Sequence, residues 1–150
     1  MSEMPTPAPA ASATPEKIRK GDGRRQRGNR TGFTTGACAA AAARAASLGL
    51  LTGRVPDGVL CRLPNGQEVN FAVLEGTVRD EGGVRTALAV IMKDAGDDPD
   101  ATNGAHLTAQ VRRLPGQAEL IELKGGSGVG RVTREGLGLA VGGAAINAVP

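Results

Sequence analysis

The fold is decided by residues 30–53, which read RTGFTTGACAAAAARAASLGLLTG. Thr34 and Thr35 occupy the positions expected for a helix N-cap, because their hydroxyl groups can accept hydrogen bonds from the first free N–H groups of a helix. Ala37 to Leu51 consists almost entirely of strong helix formers, and Gly53 suits a residue that ends a helix. The stretch predicts a helix over residues 36–51 whose small side chains let other backbone approach closely.

The N-terminus of this helix has two interpretations. Its free N–H groups and partial positive charge are suited to an anion site. The alternative is an ordinary cap on a small-residue core helix. Cys38, in the first helical turn, is more often a small buried residue than a reactive thiolate in such a setting.

The remaining chain predicts about five strands. The most apolar run, Val84 to Lys93, is apolar on both faces and is therefore expected at the centre of a sheet. The other candidates are a hairpin at 58–63 and 67–75 around a Pro-Asn-Gly turn, an alternating run at 107–111, a short strand at 118–123 and a brief strand after the glycine-rich residues 125–130. Because there is one crossover helix, we predict an α+β domain with a mixed or antiparallel sheet and the helix packed on it.

Composition restricts the class of protein. The chain has two Phe and no Trp or Tyr, so nucleic-acid binding through stacked bases is not expected. Seven of the 18 Lys and Arg residues, but only three of the 15 acidic ones, lie in residues 1–30. The basic character belongs to that tail, and residues 1–28 are predicted to be disordered and solvated, with weak attraction to polyanions as the alternative.

Targeting and redox signals are sparse. The first 30 residues contain no apolar signal-peptide core, and the alanine run is too short and too weakly apolar to span a membrane. Cys38, Cys61 and the lone His106 show no metal-ligand spacing, so no metal site is predicted. These features predict a cytoplasmic protein without a membrane or nucleic-acid partner.

An acidic loop follows the central strand, at residues 93–104 with the sequence KDAGDDPDATNG. It lacks the ligand spacing of an EF-hand. Asp94, Asp97, Asp98 and Asp100 could cap a turn, bind a hard cation or supply a general base. Its position after the most buried strand favours function, because rigidly held loops often carry active sites.

A glycine-rich loop at residues 125–131, GGSGVGR, is the second candidate site. Consecutive glycines allow backbone N–H groups to converge on an anion, and Arg131 adds a planar cation. The loop matches neither nucleotide-binding fingerprint, and a plain glycine hairpin is an equal alternative.

Three stretches resemble the signatures of the CbiD family, the cobalt-precorrin-5B C(1)-methyltransferases. They read TGFTTGACAAAA at 31–42, KDAGDDPDATNG at 93–104 and GGSGVGRVT at 125–133, in the family's order. The end of the chain, AINAVP at 145–150, resembles the family's next stretch, although Ala144 and Ala148 replace its usual prolines. The resemblance covers residues 29–150 and implies the family's two-layer α/β N-terminal domain.

The resemblance implies methyl transfer from S-adenosylmethionine to a ring carbon of a cobalt-corrin precursor of vitamin B12. It also implies catalytic roles for Asp94, Asp97 and Asp98. The residues expected to hold substrate carboxylates or the cofactor are Thr34, Thr35, Gly36, Gly126, Ser127, Gly128, Gly130 and Arg131. The three loops are expected to gather around one pocket.

The resemblance implies family members more than twice this long, and their Rossmann-like second half is expected to be absent from this chain. We therefore expect the N-terminal portion of such an enzyme, inactive alone if the second half supplies the S-adenosylmethionine site. The chain would then act as a homo-oligomer or with that missing half. A non-catalytic tetrapyrrole- or anion-binding module that needs a partner chain is the alternative, and an RNA-associated domain is disfavoured.

Overall fold

A computed structural model describes residues 30–116, 121–136 and 138–146 of the chain. Its elements, in order, are the helix α1 (Thr35–Thr52) and the strands β1 (Gly58–Arg62), β2 (Glu68–Ala72), β3 (Glu75–Glu81), β4 (Val84–Met92) and β5 (His106–Arg112). The expected α+β class is confirmed. The predicted tail at 1–28 lies outside the described residues.

Local hydrogen bonds determine where helix α1 begins and ends. The Thr34 hydroxyl accepts a hydrogen bond from the Ala37 N–H at 3.1 Å. At the other end Gly53 has a positive φ of 85°, and its N–H donates to the Gly49 carbonyl at 2.9 Å. The face of the helix turned to the sheets is almost wholly alanine, so the helix can lie close to them; its buried residues are Cys38, Ala41, Ala42, Ala45, Ala46 and Gly49.

The strands form two antiparallel sheets, β1–β2 and β3–β4–β5, with β4 at the centre of the larger one. Helix α1 packs mainly on β4 and β5. The core contains Ile91 from β4 together with Val59 and Phe71 from the smaller sheet. The prediction that the Val84 strand is central is confirmed.

The predicted strand at 67–75 is in fact two strands. The Val73 N–H still donates to the Asp57 carbonyl beside the first hairpin, whereas the Leu74 N–H donates to the Val90 carbonyl of β4. The chain therefore changes sheets between these two residues. Strand β3 was not predicted because only Val78 among its residues is even partly buried, so its sequence shows little alternation.

The two last predicted strands are not present among the described residues. Residues 121–123 belong to no strand, and 118–120 lie outside the described part. After the glycine loop, Arg131 and Ala144 form one isolated antiparallel bridge instead of a strand. Apolar residues alone did not create a strand there, because a strand also needs a partner edge to bond with.

Glycines let the helix approach the larger sheet. An added methyl group at Gly49 would lie 2.5 Å from Val55 Cγ2, and one at Gly76 would lie 2.6 Å from Val55 Cβ. Val55 is therefore packed between α1 and β3 and is 7% exposed. No helix in the described residues combines the length and apolar character needed to cross a bilayer.

Candidate functional site

The segment before α1 lies directly against the acidic loop after β4. The Phe33 N–H donates to the Asp94 carbonyl at 2.8 Å, and the Asp97 N–H donates to the Arg30 carbonyl at 3.0 Å. Thr31 and Gly96 form an antiparallel bridge between them. We call this junction of residues 30–36 and 93–104 the corner.

Two glycines make this close approach feasible. A methyl group at Gly32 would lie 1.9 Å from the Ala95 carbonyl carbon, and one at Gly96 would lie 2.3 Å from the Arg30 carbonyl oxygen. Gly96 also has a positive φ of 65°. Neither glycine was among the predicted site residues, although both stand inside the stretches that carry the family resemblance.

Most carboxylates of the acidic loop are engaged by the protein itself. Asp94 Oδ2 pairs with Arg30 Nη2, and its Oδ1 accepts a hydrogen bond from the Gly96 N–H at 2.9 Å. Asp97 Oδ2 accepts one from the Arg30 N–H at 2.8 Å. Asp98 differs, because it is exposed and its side chain has no hydrogen-bond partner among the described residues.

Lys93 is a buried cation beneath the loop. Its side chain is 3% exposed, pairs with Asp100 Oδ2 and donates to Thr102 Oγ1 at 2.6 Å. The hydrogen bond from Lys93, followed by those from the Thr102 hydroxyl and backbone N–H, holds the pKa of Asp100 far below its usual range. Asp100 is thereby fixed as an anion that closes the loop over Lys93.

The burial of Lys93 was not predicted, although the residue pattern of β4 indicates it. Residues Ala87, Ala89 and Ile91 form the face of β4 turned to the helix, and Lys93 continues the same alternation one step further. Asn103 was missed as well. Its Oδ1 accepts a hydrogen bond from the Ala95 N–H at 2.9 Å and braces the loop.

Cys38 lies under the corner and is fully buried. Burial raises the pKa of its thiol, while the Lys93 charge and a hydrogen bond at the Asp94 backbone oppose the rise only in part. The environment therefore disfavours the thiolate, and the full burial of Cys38 in the core confirms its interpretation as a buried core residue.

The first turn of α1 carries unused hydrogen-bond donors. The Thr34 hydroxyl is committed to the cap, but Thr35 and Gly36 are exposed. Their N–H groups have no recorded acceptor among the described residues. The arrangement is one that can receive an anionic group.

The glycine loop bonds only within its own segment. The Val129 N–H donates to the Gly126 carbonyl at 3.2 Å, and the Ala145 N–H donates to the Gly130 carbonyl at 2.8 Å. Arg131 Nη1 donates to the Gly142 carbonyl at 2.9 Å. Among the described residues no hydrogen bond joins this loop to the corner, whereas backbone hydrogen bonds join the other two predicted loops to each other.

The described residues contain no group of three or more His, Cys, Asp or Glu side chains arranged to hold a metal ion. What they contain is an α+β domain with a glycine-packed corner, exposed helix donors and, within the acidic loop, one carboxylate without a partner, that of Asp98. The CbiD family model matches residues 22–150, and the chain belongs to that family.

Curated relatives carry one name, cobalt-precorrin-5B C(1)-methyltransferase. The protein of Dechloromonas aromatica (strain RCB) is 70% identical over 139 residues, covering 93% of this chain and 35% of the relative. The protein of Methylococcus capsulatus is 63% identical over 127 residues, covering 85% of this chain and 32% of the relative. The protein of Salinispora arenicola is 58% identical over 123 residues, covering 81% of this chain and 30% of the relative. No solved structure matches the chain.

The chain spans about a third of the length of the curated relatives that it matches. The match nevertheless includes the segment before α1, the acidic loop and the glycine loop. The resemblance noted from the sequence is thus confirmed at the level of the family.

Proposed function

We propose that this chain takes part in methyl transfer from S-adenosylmethionine to carbon 1 of cobalt-precorrin-5B in cobalamin biosynthesis. The observation that carries the proposal is the 70% identity of this chain to a relative named cobalt-precorrin-5B C(1)-methyltransferase, across a region that includes the corner. Since the chain spans about a third of such relatives, the activity is proposed for the chain combined with the rest of the family protein. The chain alone is expected to be inactive.

The corner would hold acidic groups of the corrin precursor. The exposed N–H groups of Thr35 and Gly36 lie at the positive end of α1, and a carboxylate placed there would meet two donors and a favourable dipole. Thr34 contributes by keeping the first turn in place through its cap.

Asp98 is our candidate for the carboxylate that acts in the reaction. S-adenosylmethionine would supply an electrophilic methyl group on a sulfonium cation. A free, exposed carboxylate could orient that cation or accept a proton, and both roles require only positioning. Asp94 and Asp97 are bound to Arg30, so we assign them the task of fixing the loop.

The glycine loop would hold a second anionic group. Gly128 has a positive φ of 81°, which suits a turn whose N–H groups converge. Gly126, Ser127 and Gly130 are exposed beside it. Arg131 uses one nitrogen on the Gly142 carbonyl and retains further donors for a carboxylate.

A chimera provides the test. This chain replaces the matching third of the Dechloromonas aromatica protein, and methyl transfer from S-adenosylmethionine to cobalt-precorrin-5B is followed by mass spectrometry. Methylated product from the chimera and none from the 150-residue chain alone supports the proposal. A folded chimera that binds the corrin precursor without turnover would instead identify a binding module that needs a partner chain.

Asp98→Asn tests the residue assignment within that chimera. We expect turnover to fall by roughly 10²-fold or more if the carboxylate acts in the transition state. Asp57→Asn is the matched control, since Asp57 is an exposed carboxylate at the far end of α1. Full activity of Asp98→Asn would remove this residue from the mechanism.

We further propose that the reaction takes place in the cytoplasm. Both cysteines, Cys38 and Cys61, are free thiols, which accords with a reducing compartment.

A further inference from the structure

Residues 121–146 expose an unusual amount of apolar surface. Ile121 is 96% exposed, Leu123 57%, Val141 56% and Val129 38%. Isolated exposed apolar side chains are ordinary in soluble proteins, but four among the 25 described residues of one segment single it out as a candidate interaction surface. Val132, which is 3% exposed, is the segment's one buried residue among those described.

The segment has little structure of its own to support these side chains. Its described residues, 121–136 and 138–146, contain no helix or strand. They are connected by the isolated Arg131–Ala144 bridge and a few backbone hydrogen bonds, such as that from the Val132 N–H to the Gly143 carbonyl at 3.0 Å. A segment with so few backbone hydrogen bonds and so little buried apolar area has little local stability of its own.

The charges nearby favour an apolar partner. Lys124 pairs with Glu122 at 2.7 Å, and Arg131 donates to the Gly142 carbonyl. With Arg134 and Glu135 the segment carries three basic and two acidic side chains, a net charge of +1, so it has no strong field to attract a polyanion. Apolar, weakly charged surfaces are typical of permanent interfaces.

We propose that the apolar side chains of residues 121–146 form the docking surface for the two-thirds of the family protein that this chain does not span. The length of the relatives identifies the occupant, since the chain covers only 35% of the Dechloromonas aromatica protein although it is 70% identical to it. The glycine loop lies inside this surface, so docking would set the geometry of its backbone donors. The inference concerns assembly and does not depend on the methyl-transfer chemistry.

Two alternatives to this docking surface would give distinct outcomes in a labelling experiment. One is a cleft of about 470 Å³ at the C-terminal end of α1, lined by Leu50, Leu51, Val84 and Arg113 among others. The other is self-association, in which a second copy of this chain covers residues 121–146.

Cysteine labelling separates these cases. In a Cys61→Ser background, Ile121→Cys or Val141→Cys is placed in the lone chain and in the chimera with the Dechloromonas aromatica remainder. The rate of maleimide labelling is then compared. Leu60→Cys is the matched control, because Leu60 is 52% exposed on strand β1.

We expect labelling at both probe positions to be at least about tenfold slower in the chimera than in the lone chain, because the side chains become buried in an interface. The labelling rate of the Leu60→Cys control should differ by less than about twofold between the two proteins. Equal rates at the probe positions in both proteins would overturn the proposal. So would slowing confined to a further probe, Leu51→Cys, placed in the same two proteins at a residue that lines the cleft. Slowing in the lone chain that grows with its concentration would overturn it in favour of a second copy.

Hydrogen exchange in β4 verifies that every protein compared is folded. If the junction prevents folding of the chimera, the intact Dechloromonas aromatica protein replaces it, with cysteines at the positions aligned with Ile121 and Val141. Rapid labelling there, equal to that of the lone chain, would refute the docking surface.

Discussion

Replacing Gly32 with alanine should force the segment before α1 away from the acidic loop. The added methyl carbon would lie 1.9 Å from the Ala95 carbonyl carbon and 2.1 Å from its oxygen. Ordinary contacts between such atoms are about 3.5 Å, so one backbone must move by about 1.5 Å. Both neighbours are backbone atoms, and no side chain can rotate away to relieve the overlap.

The magnitude follows from what this movement breaks. Overpacking of this kind costs about 1–3 kcal/mol. The two hydrogen bonds beside it, from the Phe33 N–H to Asp94 and from the Asp97 N–H to Arg30, would lengthen beyond 2.8 and 3.0 Å. Since each contributes about 1 kcal/mol, loss of both together with the overpacking should lower the free energy of unfolding by about 3–5 kcal/mol.

Urea unfolding followed by circular dichroism measures the change. Gly36→Ala is the control, because a methyl group there meets nothing nearer than Thr34 Oγ1 at 3.9 Å. In the first turn of α1 that substitution should be neutral or stabilise by up to about 1 kcal/mol. A Gly32→Ala chain as stable as the parent would refute the close contact, and with it the geometry of the corner.

Three further results are expected. Val55→Ala and Gly76→Ala should each destabilise the chain by about 1–3 kcal/mol. The double variant should lose less than the sum, because Val55→Ala removes Cγ1, one of the two Val55 atoms that the new methyl group would meet at 2.6 Å. Strict additivity in urea unfolding would contradict that contact. The pKa of Asp100 is lower in the folded chain than in the unfolded chain, so its ionised side chain stabilises the fold fully above the unfolded pKa of about 4. This stabilisation is lost as the pH falls through the lower pKa of the folded chain. Asp100→Asn should therefore weaken the acid dependence of stability between about pH 4 and 2, and an unchanged slope would contradict the Lys93 ion pair. In the chimera, methyl transfer should depend on Asp98 and not on Asp57, as the paired substitutions to Asn would show.

Local signals accounted for the parts of the fold that were predicted well. Helix α1 has its N-cap at Thr34 and its C-cap at Gly53 because these residues act on their immediate neighbours. The central position of β4 followed from its apolar residues on both faces. Each of these features depends on a few adjacent residues, which a sequence displays directly.

Features that depend on distant residues escaped prediction. Strand β3 exists because its residues pair in register with β4, from Glu75 with Val90 to Glu81 with Val84, and its own sequence is mostly polar. Gly32 matters because Ala95 lies opposite it, more than sixty positions away. The sequence indicated that both stretches belong to one site, but not which atoms meet.

The acidic loop illustrates why a cluster of like residues does not imply a shared role. Four aspartates in seven positions suggested either turn structure or catalysis for the group as a whole. In the structure Asp94 and Asp97 bind Arg30, and Asp100 binds Lys93, so three of the four fix the loop. A rigid loop is what allows the fourth, Asp98, to present a free carboxylate at a defined position. If Asp98 does carry chemistry, its three neighbours contribute by holding it there, and their substitution should impair turnover through loop disorder.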